Sequence, residues 1–270
     1  MLTLYHNDMS TCAKKVRFAL AEKGLEWESR HLDLRALDQQ KPEYLKLNPK
    51  AVVPTLVHDD LVVIESTVIN EYIDDAFPGV PLRPASPAER ARMRLWCKKL
   101  DDSLHAATGV ISTAIAFRYQ KLDKGEASVR QSLQNMPDPD KRQRNESTIY
   151  EGVRSRYLAE AAQGFDDLLA QFETTLAKQP WLAGQDFSLA DIAYAPYMTR
   201  LDHLQMSAMW DRRPAVADWY RRLQARKGYQ DGLARWFNGK YLTLMEEKGR
   251  EAWPVIAEIL ESCAKARAAG

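Results

Sequence analysis

Three groups of residues in this chain have types and spacing that could do chemistry. At Ser10-Thr11-Cys12, two hydroxyls and a thiol stand where a helix-forming run begins. A helix amino terminus presents free N–H groups and partial positive charge, so it favours an anion placed against it. Ser10 or Thr11 could donate to such an anion, or simply cap the helix. Cys12 could carry a depressed thiol pKa and react itself, or be a helix-packing cysteine. At Val53-Pro54-Thr55-Leu56 a proline leads an apolar strand. In the trans form it is an edge-strand start where a missing N–H costs nothing. In the cis form, about 5–6% of X–Pro bonds, it would be a specific structural choice. At Glu65-Ser66 the strand Leu61-Val62-Val63-Ile64 ends in an acid and then a helix-capping serine. The N–H groups beyond that serine form a seat for a carboxylate, while Glu65 read alone is a solvated acid at a strand end.

These groups need a scaffold, and the first eighty residues supply alternating strand and helix signals. Leu2 to Tyr5 reads as a strand, about Cys12 to Glu22 as a helix stopped by Gly24, and Trp27 to Leu34 as a second strand. A short helical stretch at Glu43 to Leu47 ends before Asn48-Pro49, because the residue before proline avoids helical geometry. Thr55 to His58 and Leu61 to Ile64 form a hairpin across Asp59-Asp60, and Thr67 to Ala76 is a helix. A helical crossover implies parallel pairing of the first two strands, giving βαβ followed by ββα. The Pro-rich run Pro78 to Pro87 predicts a linker.

Beyond it the pattern is helical. Ala88 to Phe117 carries Met93, Trp96, Leu100, Leu104, Ala107 and Ile111 at helical spacing. Leu122 to Asn145 is polar, holds Pro137 and Pro139, and is expected to be an inserted loop with a short helix. Further helices are predicted over Ile149–Ala177, Pro214–Gln224 and Ala252–Ala266. Ser188 and Asp191 have the spacing of a capping box, with Phe187 and Ile192 at the flanking apolar positions, which is a folding device.

Composition removes several classes of function. A formal net charge of +1 leaves no footprint for nucleic acid, and Lys141-Arg142-Gln143-Arg144 reads as a solvated face. No apolar run approaches the roughly 20 residues that span a bilayer, and the start lacks signal-peptide regions. Cys12, Cys97 and Cys263 are odd in number and far apart, arguing against a disulfide framework or a structural metal. A cytoplasmic protein without a metal is the expectation.

The Val53-Pro54 and Glu65-Ser66 pair, followed by Val68-Ile69-Asn70-Glu71-Tyr72-Ile73, resembles the cytosolic glutathione transferase family. Ser10-Thr11-Cys12 leading into Lys15-Val16-Arg17 resembles its serine-type active-site loops, and Phe187 to Ile192 its buried capping box. The interruption after Phe117, the Pro137-Asp138-Pro139 segment and the long carboxy terminus look most like bacterial lignin β-aryl-etherases and related fungal transferases. The resemblance implies a thioredoxin-like α/β domain with a mixed four-stranded sheet over 1–78 and a linker over 79–87. An all-α domain over 88–270, with an inserted segment near 119–147, would follow. It also implies a homodimer and glutathione as co-substrate.

The resemblance assigns the roles as follows. A cis Val53-Pro54 would let Val53 pair its backbone with the peptide's cysteine, as a small added strand. Ser66 and its helix terminus would seat the γ-glutamyl carboxylate, Glu65 would balance the ligand ammonium, and Gln39 and Gln40 would contact the glycine end. Ser10 would hold the thiolate, with Thr11 and Cys12 as the runners-up. Lowering a thiol pKa from about 8.5 by two units takes roughly 2.7 kcal/mol. A hydroxyl donating to an anion supplies about 1.5–3 kcal/mol and the helix terminus about 0.3–1, so these two suffice. His105, Ile111, Phe117, Tyr197, Trp236, Phe237 and Tyr241 are the candidates for contacting an apolar, aromatic electrophile. The expected activity is thiolate transfer, extending to β-aryl ether cleavage. General detoxification, a Cys12 thiol transferase and a non-catalytic binding module are the alternatives.

Overall fold

The computed structural model describes residues 1–269. The chain forms two compact units. One holds Met1–Lys98, Leu176–Met198 and Asp218–Asn238; the other holds Lys99–Thr175, Thr199–Ala217 and the chain from Gly239.

In the first unit a four-stranded sheet runs in the order β2-β1-β3-β4. Strand β1 (Leu2–His6) lies parallel to β2 (Glu28–His31), with Thr3 opposite Glu28 and His6 opposite His31. It is antiparallel to β3 (Thr55–His58), with Leu4 opposite Leu56. Strands β3 and β4 (Leu61–Ile64) form the hairpin expected across Asp59-Asp60. The helices are α1 (Thr11–Glu22), α2 (Pro42–Leu45) and α3 (Ser66–Ala76), and α1 packs beside α3. Leu4, Val16, Phe18, Leu20, Leu56, Ile69 and Ile73 are fully buried. Each such large aliphatic or aromatic side chain contributes about 1.5–3 kcal/mol by leaving water. The mixed sheet with its covering helices is the thioredoxin-like arrangement expected, and it places the start of α1 at the carboxyl end of β1.

The same unit contains helix α4 (Pro87–Lys99) up to Lys98, and the Asp191 box. Asp191 is fully buried and accepts four hydrogen bonds: from Leu182 N (3.0 Å), Ser188 N (3.0 Å), Ser188 Oγ (3.1 Å) and Trp219 Nε1 (2.9 Å). Ser188 Oγ in turn accepts from Ala190 N at 3.3 Å, so the reciprocal box is complete. Phe187 packs edge-on to Trp181 with ring centres 5.1 Å apart and lies under the Arg226 guanidinium.

The second unit is helical. Its first stretch, Leu100 to Leu122, is not one α-helix: π-helical turns occupy Leu100–Leu104 and Thr113–Phe117. Such turns add a residue per bulge and shift the faces that follow. The inserted segment differs from the loop with a short helix that was expected. It is two helices, Glu126–Gln134 and Pro139–Tyr150, enclosing a small core of Val129, Leu133 and Ile149 with Leu122 and Met136 beside it. Asp138 caps the second helix by accepting from Asp140 N and Lys141 N, and Pro139 occupies the first helical position, where its missing N–H is not needed. Arg118 closes the other end of that helix, donating to Ile149 O (2.8 Å) and Tyr150 O (2.9 Å). Gly152 follows at φ 59°, and a Cβ there would lie 2.9 Å from the Arg118 guanidinium carbon. The last helix spans Gly239–Ala269. Among the described residues no helix is long and apolar enough to cross a membrane.

Candidate active site

Ser10 sits at the turn from β1 into α1 and is the cap of that helix. Its Oγ accepts from Ala13 N at 3.2 Å. This uses a lone pair and leaves the hydroxyl hydrogen able to donate outward, so capping and donation to an anion coexist in one side chain. Thr11 is the first helical residue and is buried, whereas Cys12 is half-buried with its Sγ 3.8 Å from the hydroxyl of the buried Tyr197. Of the three alternatives at the helix start, Ser10 is thus the capping residue.

The loop that carries Ser10 is built on Asn7. Its Oδ1 accepts from Met9 N (2.8 Å), its Nδ2 donates to Leu32 O (2.9 Å), and its carbonyl accepts from Ser10 N (3.3 Å). Arg17 donates to the same Asn7 carbonyl at 3.1 Å and to His6 Nδ1 at 3.0 Å. Burial, followed by the Arg17 charge, drives the His6 pKa down to about 3, so the imidazole is neutral and its Nε2 pairs with Ser29 Oγ at 2.7 Å. Burial lowers Arg17 itself to about 9, against the pull of nearby Asp8. The guanidinium is therefore still a cation at neutral pH. None of the His6–Arg17 arrangement was anticipated; the Asn7-Asp8 pair, a common turn former, was the one signal available.

The second group of residues is held as firmly. The Val53-Pro54 bond is cis. Before it, the Val52 carbonyl accepts from Tyr44 Oη (2.6 Å) and from Asn48 Nδ2 (3.0 Å), and both of those groups also reach Thr55 Oγ1. Val53 and Pro54 are buried. The loop from Asn48 to Thr55 is thereby tied to α2 and to the first residue of β3.

At the third group the cap assignment shifts by one. Ser66 is the first residue of α3 and Glu65 is the cap, at φ 70° and ψ 111°. Serine is the better capping type, but the hairpin leaves β4 at an angle that puts the half-helical position on Glu65. A non-glycine residue in this region costs on the order of 1–3 kcal/mol, a kind of strain that clusters at ligand sites. Ser66 is buried at the helix terminus, and Glu65 is exposed and paired with Lys50 Nζ at 2.5 Å. Lys50 is a partner that the sequence reading did not name.

The remaining predicted residues fall as follows. Gln39 lies in a short 3-10 turn before α2 with its Oε1 buried and unpaired, and Gln40 next to it is exposed. Trp236 belongs to the first unit, where it stacks on Trp27 with ring centres 5.7 Å apart and lies 5.2 Å from the Arg17 guanidinium. Phe237 lies 5.3 Å from Lys14 Nζ in the same unit. In the second unit His105 is exposed, Ile111 is fully buried, and Phe117 packs against Tyr241 and under Arg200. Among the described residues no group of three or more His, Cys, Asp or Glu could hold a metal ion.

Known proteins share sequence and fold with the chain. The family pattern "Glutathione S-transferase, N-terminal domain" matches residues 1–75, and "Glutathione S-transferase, C-terminal domain" matches residues 155–222. Protein LigF of Sphingobium sp. is 35% identical over 199 residues, covering 71% of this chain and 75% of LigF. The tetrachloro-p-hydroquinone reductive dehalogenase of Sphingobium chlorophenolicum is 28% identical over 88% of this chain and 98% of its own. The crystal structure of the beta-etherase LigF superposes with a TM-score of 0.76 at 30% identity, covering 87% of this chain and 99% of that one. Glutathione transferase F7 of Populus trichocarpa gives 0.65 at 27% identity over 88% and 100%.

Proposed function

We propose, for a chain that belongs to the glutathione S-transferase family, that Ser10 steadies the glutathione thiolate for attack on an apolar aromatic electrophile. The observation that carries the proposal is the Ser10 cap: its oxygen serves the helix through Ala13 N while its hydrogen stays available to a sulfur anion. The α1 terminus adds its partial positive charge. Thiolate stabilisation and proximity together account for catalysis, the family's electrophile being brought to an anion already formed. The peptide itself would lie along Val53, with its γ-glutamyl carboxylate at the α3 terminus by Ser66 and its ammonium near Glu65. Gln39 and Gln40 would serve its glycine end.

For the substrate, the likeness to the beta-etherase LigF favours a β-aryl ether bearing a neighbouring ketone. The thiolate's electron pair forms a C–S bond to the carbon beside the ketone as the C–O pair leaves with the phenolate. That phenolate then takes a proton from water, giving a glutathione thioether and a phenol. His105, Ile111, Phe117, Tyr197 and Trp236 remain the proposed acceptor contacts, and a cytoplasmic homodimer is the proposed working form. Turnover of a β-aryl-ether ketone and of chlorodinitrobenzene by wild type and Ser10→Ala tests the reading. A loss of turnover of at least about 10-fold in Ser10→Ala is expected if roughly 1.5 kcal/mol of anion stabilisation is removed. Equal turnover would refute the role of Ser10.

A second reading is favoured by one contact. The Cys12 thiol, second in the helix and half-buried near the Tyr197 hydroxyl, would as a thiolate attack a disulfide of glutathione, forming a Cys12–glutathione mixed disulfide as the other sulfur leaves as a thiolate. If Cys12→Ser alone abolishes thiol transfer, this reading replaces the first.

A further inference from the structure

The segment Gly232–Asn238 comes more than two hundred residues after the Ser10 loop, yet within the first unit it grips that loop's base at four points. Gly232 packs so close to α1 that an added Cβ would lie 2.7 Å from Arg17 O and 2.8 Å from Phe18 Cα, both backbone atoms that cannot swing aside. Its carbonyl accepts from Arg17 Nε at 3.0 Å. Trp236 covers the guanidinium at 5.2 Å while meeting His6 edge-on with ring centres 4.9 Å apart. Asn238 Nδ2 donates to Asp8 Oδ2 at 2.9 Å, two residues before Ser10.

Arg17 is the member that joins both sides. Its Nε donates to Gly232 O, and its Nη1 donates to His6 Nδ1 and to Asn7 O, the oxygen that Ser10 N also uses. Its side chain is 1% exposed and Nη2 is buried with no hydrogen-bond partner. An apolar residue of similar volume would avoid that cost, since buried charges with incomplete partners are poor stabilisers. The arrangement therefore makes sense for what it orients. Asp8 and the neutral His6 face the guanidinium from the loop and β1, and Trp236 faces it from the segment, so a single geometry is imposed on residues 6 to 10.

We infer that Gly232–Asn238 is a built-in strap and that Arg17 is the positioning residue through which it fixes the Ser10 hydroxyl. The functional consequence rests on the thiolate reading above, whereas the mechanical one does not. The test uses the full chain with Arg17→Met and Arg17→Lys. Hydrogen exchange at the Ser10 amide of the unliganded protein should quicken at least about tenfold in Arg17→Met, with global unfolding subtracted. With reduced glutathione bound, the thiol pKa read from thiolate absorbance should rise by about one unit, the tenfold equivalent of a misaligned donor. The dissociation constant should stay within about threefold, because the Val53 and Ser66 contacts are untouched. Arg17→Lys keeps the charge without the fork and should fall between. If Arg17→Met does not fold, Asn238→Ala reads the same anchoring through Asp8. Wild-type exchange at Ser10 in the folded variants would overturn the strap. Faster exchange with an unchanged thiol pKa would overturn Arg17 as a positioning residue for Ser10. Absence of thiolate in the wild type would instead count against the family chemistry, leaving the exchange result to decide the strap.

Discussion

Replacing Asp191 with alanine should strongly destabilise the first unit without affecting the ligand. The carboxylate accepts from Leu182 N, Ser188 N, Ser188 Oγ and Trp219 Nε1, all buried. Burial pushes its carboxyl upward, and those four donors pull against that rise. Alanine leaves four donors facing a void. Each buried unsatisfied group costs about 1–3 kcal/mol, but they share one acceptor and relax together. Breaking a buried charged network costs about 3–5 kcal/mol, so about 4 kcal/mol is expected, a large part of a typical 5–15. Asp191→Asn keeps the shape and one accepting oxygen, and should lose about half as much. Urea unfolding followed by tryptophan fluorescence reads the loss, because Trp219 is itself a partner. Calorimetry on whatever variant folds should give an unchanged glutathione dissociation constant. A loss below about 1 kcal/mol would refute the network argument, and a fivefold weaker affinity in folded protein would show that the box reaches the ligand.

Three further outcomes follow from particular contacts. Gly152→Ala forces an L side chain to φ 59° and into the Arg118 guanidinium, so thermal stability should fall by about 1–2 kcal/mol; an unchanged melting temperature would contradict it. Leu133→Ala removes one of the three buried hydrophobic residues of the inserted helices, and about 2–5 kcal/mol exceeds what so small a core can lose. Limited proteolysis should then cut between residues 122 and 150 in the variant but not in the wild type, and equal cleavage would refute this. Burial alone would raise the Asp74 carboxyl, but Leu82 N–H, Arg83 and Lys23 together hold it below its usual range. Its folded pKa is thus lower than its unfolded one, so its stabilisation is complete above about pH 4 and is lost as pH falls through the folded value. Urea midpoints between pH 6 and 3 should drop less steeply in Asp74→Asn, and parallel curves would refute the assignment.

Much of the scaffold was legible because local chemistry and global fold agree. The βαβ and ββα order follows from strand lengths, Gly24 and the hairpin at Asp59-Asp60, and the parallel pairing of β1 with β2 follows from the crossover. The Ser188–Asp191 box was legible from spacing alone. Other features were hidden for identifiable reasons. Pro137-Asp138-Pro139 reads as a helix breaker, yet Asp138 capping and Pro139 at the first helical position start a helix. The flanking helix Glu126–Gln134 is so polar that Val129 and Leu133 make a core only once Ile149 arrives from the next helix. Two π-helical turns interrupt the helical pattern read over Ala88 to Phe117 without disturbing its apolar spacing enough to be seen. Capping preference chose Ser66 over Glu65, because residue type is blind to the backbone angle at which β4 ends. At the site, Ser10 was accessible as a hydroxyl before a helix. Arg17, Gly232 and Asn238 were not, since their meeting depends on contacts between segments more than two hundred residues apart.

The proposed role of the first unit is to recognise glutathione and hold it as a thiolate at Ser10. Titration of reduced glutathione into the wild-type protein at pH 7, followed by calorimetry and by thiolate absorbance on the same sample, tests it most directly. Saturable heat is expected, with a dissociation constant below about 1 mM, more favourable than about −4 kcal/mol, and a thiolate band that is lost in Ser10→Ala. No heat at millimolar glutathione, or an equal band in Ser10→Ala, would contradict it.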